Sequence, residues 1–429
     1  MKISKQLLVY LSLITVTACI WLSLTFSGVL DGIEEETLRW RYLVRGELQS
    51  KAPIIYVDLD AETVSYMGDR PWDRREFGVL LHGLLGVGDA RVVSIDIILS
   101  KFGAGALLDL ERALKGDAFM GEAVEAYGQR VVLAAAYTGV KTAYGVDTAY
   151  LPLIRNDNYA PKENPFPEAP TFPIIQFDIG RLGLANVDEE LSGGTIPYFV
   201  PGFVELDSYR YSFHLIEGLR RFKDSFMNEP FLKVVGDEVV LTDKDGFTTD
   251  VLPMQHQMTI FSLGLETFLA SYGLDDKAVE IHPEALVIRS AGEVFRRIPL
   301  VDHQSIEVNW FQAWNSTIGN NRVSMQAILR NADALAAAAA SGDADGVAEL
   351  EAWFTRFKDK VVLVGAVDPL LKDISPTPFN REPVPKVGLH ANLYRTIEDE
   401  AYILRVQMPV TVGIISLLTL SVSMLALGS

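Results

Sequence analysis

Apolar side chains fall in three kinds of run along this chain, and each kind predicts a different element. Short runs rich in β-branched residues, 54–59 (IIYVDL), 91–99 (RVVSIDIIL), 130–136 (RVVLAAA) and 361–366 (VVLVGA), read as buried strands. Between the first two, Phe77, Leu80, Leu81, Leu84 and Leu85 recur at helical spacing, so the unit is strand, helix, strand, with the right-handed crossover of a parallel sheet. That unit sets 54–59 and 91–99 as neighbouring strands. Helices are predicted at 106–127, around 346–357 and from near Leu389, and the strand at 361 brings both halves of the chain into one sheet. The middle is less regular: 207–222 and 257–272 predict helices, 234–241 and 285–289 predict strands, and 322–331 carries a helical pattern.

The third kind of run is long and uncharged. Residues 6–30 (QLLVYLSLITVTACIWLSLTFSGVL) and 406–429 (VQMPVTVGIISLLTLSVSMLALGS) hold no charge, and about 20 apolar residues suffice for a helix to cross the hydrocarbon core. Lys2 and Lys5 precede the first run, whereas Asp31, Glu34, Glu35 and Glu36 follow it. The lysine bias puts the amino terminus in the cytoplasm. The expected organisation is a cytoplasmic start at 1–5, transmembrane helices at 6–30 and 406–429, and an extracytoplasmic domain over 31–405, with no output domain after the second span. Val16-Thr17-Ala18-Cys19 also resembles a lipoprotein cleavage box, with Cys19 acylated. The apolar run continues through Ile20, Trp21, Leu22, Leu24 and Phe26, which favours a membrane helix. Residues 31–45 (DGIEEETLRWRYLVR) place acidic side chains early and Arg39, Arg41 and Arg45 late, as a helix dipole prefers. They read as a stalk between the membrane and the domain.

Two stretches interrupt the pattern. Six prolines between Pro152 and Pro173 forbid regular helix or central strand and mark a surface excursion. The alanine-rich 333–345 reads either as a solvent-facing helical insertion or as a linker. Composition narrows the possibilities further: at 49% hydrophobic and 22% charged the chain folds by burial, and a single cysteine excludes an intramolecular disulfide. Its net charge is −18, and setting aside Lys2 and Lys5 leaves 36 basic against 56 acidic side chains in 31–405. Such a surface opposes phosphate, so nucleic acid is not a partner.

The landmarks PIIYVDLDAETV, RPWDRREFGVLLHGL, ARVVSIDIILS, FSLGLETFLASYGL, RIPL, IEVNWF, FKDKVVLVGAVDPLLKDISPTPF and VPKVGLHANLYRTI occur in one order. Together the chain resembles the second class of CHASE sensor domains, the extracellular input modules attached to bacterial cyclases and kinases. The most specific part is the closing block, from Gly365-Ala366 through Lys372-Asp373 and Thr377-Pro378 to Gly388 and His390-Ala391-Asn392. The resemblance covers nearly all of 31–405. The chain departs from it at VDEELSGGTIPYF and in the length of 156–173 and 333–345.

Six residues are candidates for a site. Asp58, Asp60 and Asp96 stand at or near the carboxyl ends of two strands, where open α/β sheets bind ligands. Asp373, in the loop after 361–366, could join them in a crevice suited to a hard cation or an amino group. The competing reading is that such aspartates cap turns and helices, and Asp60 followed by AETV fits a cap best. Trp72 either walls a pocket or belongs to the core. His390 is a candidate pH-sensitive group. No phosphate loop, nucleophile elbow or zinc-binding His pair is present, so no catalytic residue, metal or cofactor is assigned.

The expected fold is α/β, a mixed or mostly parallel sheet flanked by helices, in an extracytoplasmic domain held between two transmembrane helices. The expected function is a sensory input module in the cytoplasmic membrane, its domain in the periplasm or outside the cell. Its expected partners are the bilayer, a small-molecule or protein stimulus, and a second copy in a homodimer. The alternatives are a membrane-anchored assembly protein that binds a protein partner, and a metal-dependent exterior enzyme using Asp58, Asp60 and Asp96.

Overall fold

The computed structural model describes residues 5–26, 31–68, 72–99, 110–138, 169–171, 180–187, 196–207, 232–235, 238–242, 247–253, 257–380, 382–403 and 408–428. The main sheet has seven strands, β1 (Ile54–Leu59), β2 (Val92–Asp96), β3 (Val131–Thr138), β4 (Ala169–Thr171), β5 (Arg181–Leu184), β16 (Asn321–Ser324) and β17 (Val361–Ala366), in the order β16-β1-β17-β2-β3-β4 with β5 also pairing β3. Smaller sheets use β6 (Phe199–Pro201), β7 (Phe203–Asp207), β8 (Leu232–Val235), β9 (Glu238–Thr242), β10 (Thr248–Pro253), β11 (Gln257–Phe261), β12 (Val279–His282), β13 (Ala285–Ser290), β14 (Glu293–Pro299) and β15 (Ser305–Glu307). Every pairing is parallel except β3 with β4. The mostly parallel sheet is therefore as expected.

Strand order differs from the expectation in one respect. β1 and β2 are not neighbours, because β17, from the far end of the chain, pairs with both. All six residues of β17 are buried, and a run that apolar on both faces belongs at the centre of a sheet.

Helices cover both faces. One face packs Ile55, Val57, Val93, Ile95, Val362 and Val364 against α4 (Arg74–Leu81), α5 (Leu110–Tyr127), α7 (Met325–Ser341) and α8 (Ala344–Phe354). The other packs Ile54, Tyr56, Val92, Val361 and Leu363 against α6 (Leu263–Ser271) and α9 (Val387–Glu398). Alternate side chains of each strand thus feed opposite cores. α3 (Ala61–Met67) follows β1 directly.

Several boundaries move. The stretch 257–272 opens as strand β11 (Gln257–Phe261) and is helical only from Leu263, because Ser262 takes extended backbone at ψ 148. The strand expected at 234–241 is two, β8 (Leu232–Val235) and β9 (Glu238–Thr242), paired antiparallel. The pattern at 322–331 is strand β16 followed by α7. The alanine-rich stretch is helix through Ser341, broken by Gly342 at φ 74 before α8, and α7 buries only Met325, Ile328 and Leu329. Pro170 lies in the three-residue strand β4, opposite Tyr137, a peripheral position that a residue without an N–H tolerates. The rest of the proline-rich stretch up to 168, and 208–222, lie outside the described residues.

The first and last helices, α1 (Lys5–Phe26) and α10 (Met408–Gly428), pack against each other. Counting described residues only, no helix is long and apolar enough to cross a membrane. Several side chains of both helices fall outside that description, and the anchor assignment rests on the sequence. Helix α2 (Asp31–Arg45) follows as expected. It buries Tyr42 and part of Leu38 against the domain while Trp40, Leu43 and Val44 face outward.

Candidate functional site

Two of the six candidate residues, Asp58 and Asp96, stand at the carboxyl edge of the central strands. Asp58 on β1, Gly365 on β17 and Asp96 on β2 are in register, so they form one row on the face that α9 covers. The backbones of Asp58 and Asp96 are two strand spacings apart, roughly 9–10 Å. What fills the gap is Val387, the first residue of α9: a Cβ at Gly365 would meet the Val387 Cβ at 2.5 Å. Asp58 and Asp96 therefore occupy separate niches rather than one crevice. Gly365→Ala is expected to destabilise the chain by about 1–3 kcal/mol through overpacking, measured as a lower thermal midpoint.

Asp96 faces His390 of α9, with Nε2 and Oδ2 3.8 Å apart and both side chains nearly inaccessible. Neither Asp96 Oδ2 nor His390 Nδ1 has a hydrogen-bond partner among the described residues. Burial pushes the Asp96 carboxyl up to about 7, with Lys386 opposing weakly. Burial also pushes His390 down to about 4, although Asp373 favours its charged form. The order of these values makes the pair neutral between them, with the proton on the carboxyl, so the short separation is not an ion pair there.

Asp58 accepts from Arg322 Nε at 2.8 Å. Burial raises its carboxyl pKa and the Arg322 guanidinium partly offsets the shift. Arg322 in turn lies 4.2 Å over the Trp314 ring. Asp373 closes a small hairpin, its carbonyl accepting from Lys386 N at 3.0 Å, and through its charge acts on His390. The remaining two candidates go elsewhere. Asp60 caps α3, accepting from Thr63 N at 2.9 Å, Thr63 Oγ1 at 2.8 Å and Ser324 Oγ at 3.1 Å. Trp72 is core, packed on the opposite face with Nε1 donating to Gly68 O at 2.9 Å. Among the described residues no group of three His, Cys, Asp or Glu side chains is placed to hold a metal ion.

A small pocket that sequence reasoning missed lies beside β1, between α9 and the segment 308–320. Tyr56, Trp310, Trp314, Gln312, Asn320 and Arg395 line it, and its cavity volume is ≈ 10 Å³. That is room for about one water molecule. Tyr56 and Trp314 meet edge to face with centroids 5.1 Å apart. Arg395 is the one Lys or Arg in α9 (VGLHANLYRTIE), whose residues from Val387 to Ile397 are all buried.

The segment leading to this pocket is tied to both ends of the domain. From the stalk side, Tyr42 OH donates to Val308 O at 3.1 Å and Arg45 Nη1 to Asn309 Oδ1 at 2.6 Å, while Arg45 Nη2 donates to Trp310 O. Leu48 N donates to Phe311 O at 2.8 Å, and Glu47 accepts from Ala313 N at 3.0 Å and Ser316 Oγ at 2.7 Å. From the other side, Asn392 Oδ1 accepts from Phe311 N at 2.9 Å, Thr396 Oγ1 from Asn309 N at 3.0 Å, and Ala401 O from Asn309 Nδ2 at 2.8 Å. One short stretch of extended chain thus joins the element entering the domain to the helix leaving it.

A family model described as the CHASE2 domain matches residues 15–428. No curated protein and no solved structure matches the chain.

Proposed function

The chain belongs to the CHASE2 domain family, an extracellular sensory family of signalling proteins, and from that premise we propose that it relays a stimulus through its terminal helices to a cytoplasmic effector such as a nucleotide cyclase or kinase. On this reading residues 6–30 and 406–429 anchor the chain in the cytoplasmic membrane as a homodimer, with 31–405 outside. The observation that carries it is the double attachment of 308–313 to α2 and α9. A shift of this segment cannot leave the stalk and the exit helix both unmoved, and a stimulus acts by binding two such arrangements with different affinity.

Topology is tested in a Cys19→Ser chain bearing one new cysteine, treated in intact cells with a membrane-impermeant maleimide. Leu370→Cys, at a side chain 84% exposed, is expected to label in whole cells, and Lys2→Cys only after lysis. The reverse pattern sinks the reading. The coupling is tested by Arg45→Ala, which removes hydrogen bonds of a charged donor worth about 1.5–3 kcal/mol each. Amide exchange is expected to quicken in 308–313 and in the last turn of α9 as well as in α2. Faster exchange confined to α2 would show that the segment does not couple them.

A further inference from the structure

The pocket beside β1 holds a buried cation, Arg395. Arg395 is 2% exposed, yet no carboxylate among the described residues lies within ion-pair distance of it. Its hydrogen bonds run from Nη2 to two neutral acceptors on one loop, Asn320 Oδ1 at 3.0 Å and Gly319 O at 3.5 Å, and to the neutral hydroxyl of Tyr56. Its guanidinium also sits 5.8 Å from the Tyr56 ring centroid. Buried guanidinium groups are normally paired, because an uncompensated charge in a low-dielectric site is costly. Arg322, by comparison, has Asp58.

A second observation at the same pocket is independent of the first. Gln312, 4% exposed, donates from Nε2 to Leu48 O at 3.1 Å, which fixes the orientation of its amide, and its Oε1 is buried with no partner among the described residues. Among the described residues the pocket therefore offers a cation without a carboxylate partner, an unmatched hydrogen-bond acceptor, and aromatic walls from Tyr56, Trp310 and Trp314. We infer that this pocket binds a short organic acid carrying a hydrogen-bond donor, its carboxylate on Arg395, its hydroxyl on Gln312 Oε1 and its carbon skeleton against the aromatic rings.

In the arrangement described the pocket has room for little more than a water molecule, so the acid enters as the 313–320 loop lifts. The loop is held by contacts the acid can replace: Arg395 exchanges Asn320 Oδ1 and Gly319 O for the ligand's carboxylate oxygens, a stronger, charge-assisted pairing. The same loop carries Ala313 N and Ser316 Oγ, which bind Glu47 at the end of the stalk. Occupancy of the pocket and the position of the stalk are linked through that loop. The inference names a ligand class for the sensory reading above. Binding is measured without any output, so failure to bind and failure to relay are told apart.

The test uses the full chain in lipid nanodiscs, titrated with sodium glycolate, sodium acetate, acetamide and sodium chloride, with thermal midpoint as readout. Glycolate is expected to raise the midpoint saturably, acetate to do so less tightly, and acetamide and chloride not at all. Arg395→Gln is expected to abolish the glycolate effect. Because that variant could fold poorly, Asn320→Ala supplies the opposite sign: it removes the acceptor that competes for Arg395, and glycolate is expected to bind on the order of tenfold tighter. No saturable effect in either the natural chain or Asn320→Ala overturns the inference. So does an effect that acetamide or chloride reproduces, or one that persists unchanged in Arg395→Gln.

Discussion

An Arg181→Met chain is expected to lose about 3–5 kcal/mol of stability near neutral and alkaline pH, the cost of leaving one member of a buried ion pair alone. Arg181, on β5, donates from Nε to Glu266 of α6 and from Nη1 to Leu274 O, and both charged side chains are 4% exposed. Burial already lifts the Glu266 carboxyl to about 7 with Arg181 opposing, and removing the guanidinium lifts it further. The unfolded carboxyl titrates near 4.5. A folded value raised above that contributes stability that is present at low pH and lost as pH rises through the folded value. The Arg181→Met defect is therefore largest above about pH 7 and shrinks in acid, where Glu266 is neutral. Pairing it with Glu266→Gln is expected to recover most of the loss, read from denaturant midpoints. A double variant no more stable than the single one would show that the buried charge is not the cause.

Asp96→Asn is expected to change how stability depends on pH rather than stability alone. In the natural chain two opposite effects overlap. Asp96 titrates near 3.8 unfolded and about 7 folded, so its contribution is full below the first value and lost as pH rises through the second. His390 titrates near 6.5 unfolded and about 4 folded, so its contribution is present above the first value and lost as pH falls through the second. Between these limits the two slopes oppose, and the pair leaves the fold only weakly sensitive to mild acid. With Asp96 replaced by its neutral isostere the histidine slope stands alone. Relative to the natural chain the variant is expected to gain about 2–3 kcal/mol on going from about pH 5 to about pH 8. Parallel profiles of thermal midpoint against pH for the two chains would refute the placement of the proton on Asp96.

How much of this was legible from the residues depends on whether local pattern or long-range pairing decided the matter. The strands at 54–59 and 361–366 were readable to the residue because they are apolar on both faces and bounded by polar or small residues. Their order was not, since nothing local in VVLVGA says that it separates β1 from β2. The start of α6 was misplaced for a related reason: QMTIF also carries helical spacing, and its pairing with β7 (Phe203–Asp207) overrides that. Asp60 could be read as a cap because the evidence for it, Thr63, is three residues away. Arg322 and Arg395 could not be read as parts of a site, because their partners Asp58 and Tyr56 are distant in sequence and reach them only through the parallel pairing of β1 with β16 and the packing of α9. His390 and Asp96 were each singled out, but their facing across the sheet edge emerges only once β17 has been placed.

The position of β17 also shapes how the domain can come into being. β1 and β2 end at residues 59 and 96, and the strand that fills the space between them begins at 361. A chain made from its amino terminus must hold two apolar strand edges unpaired while the stretch between residues 96 and 361 is synthesised. Non-local parallel pairing of this kind is slow, and unpaired edges invite aggregation. The central gap closes only when β17 arrives, with α9 following to cover it, so the sheet face that carries Asp58 and Asp96 is completed late in synthesis.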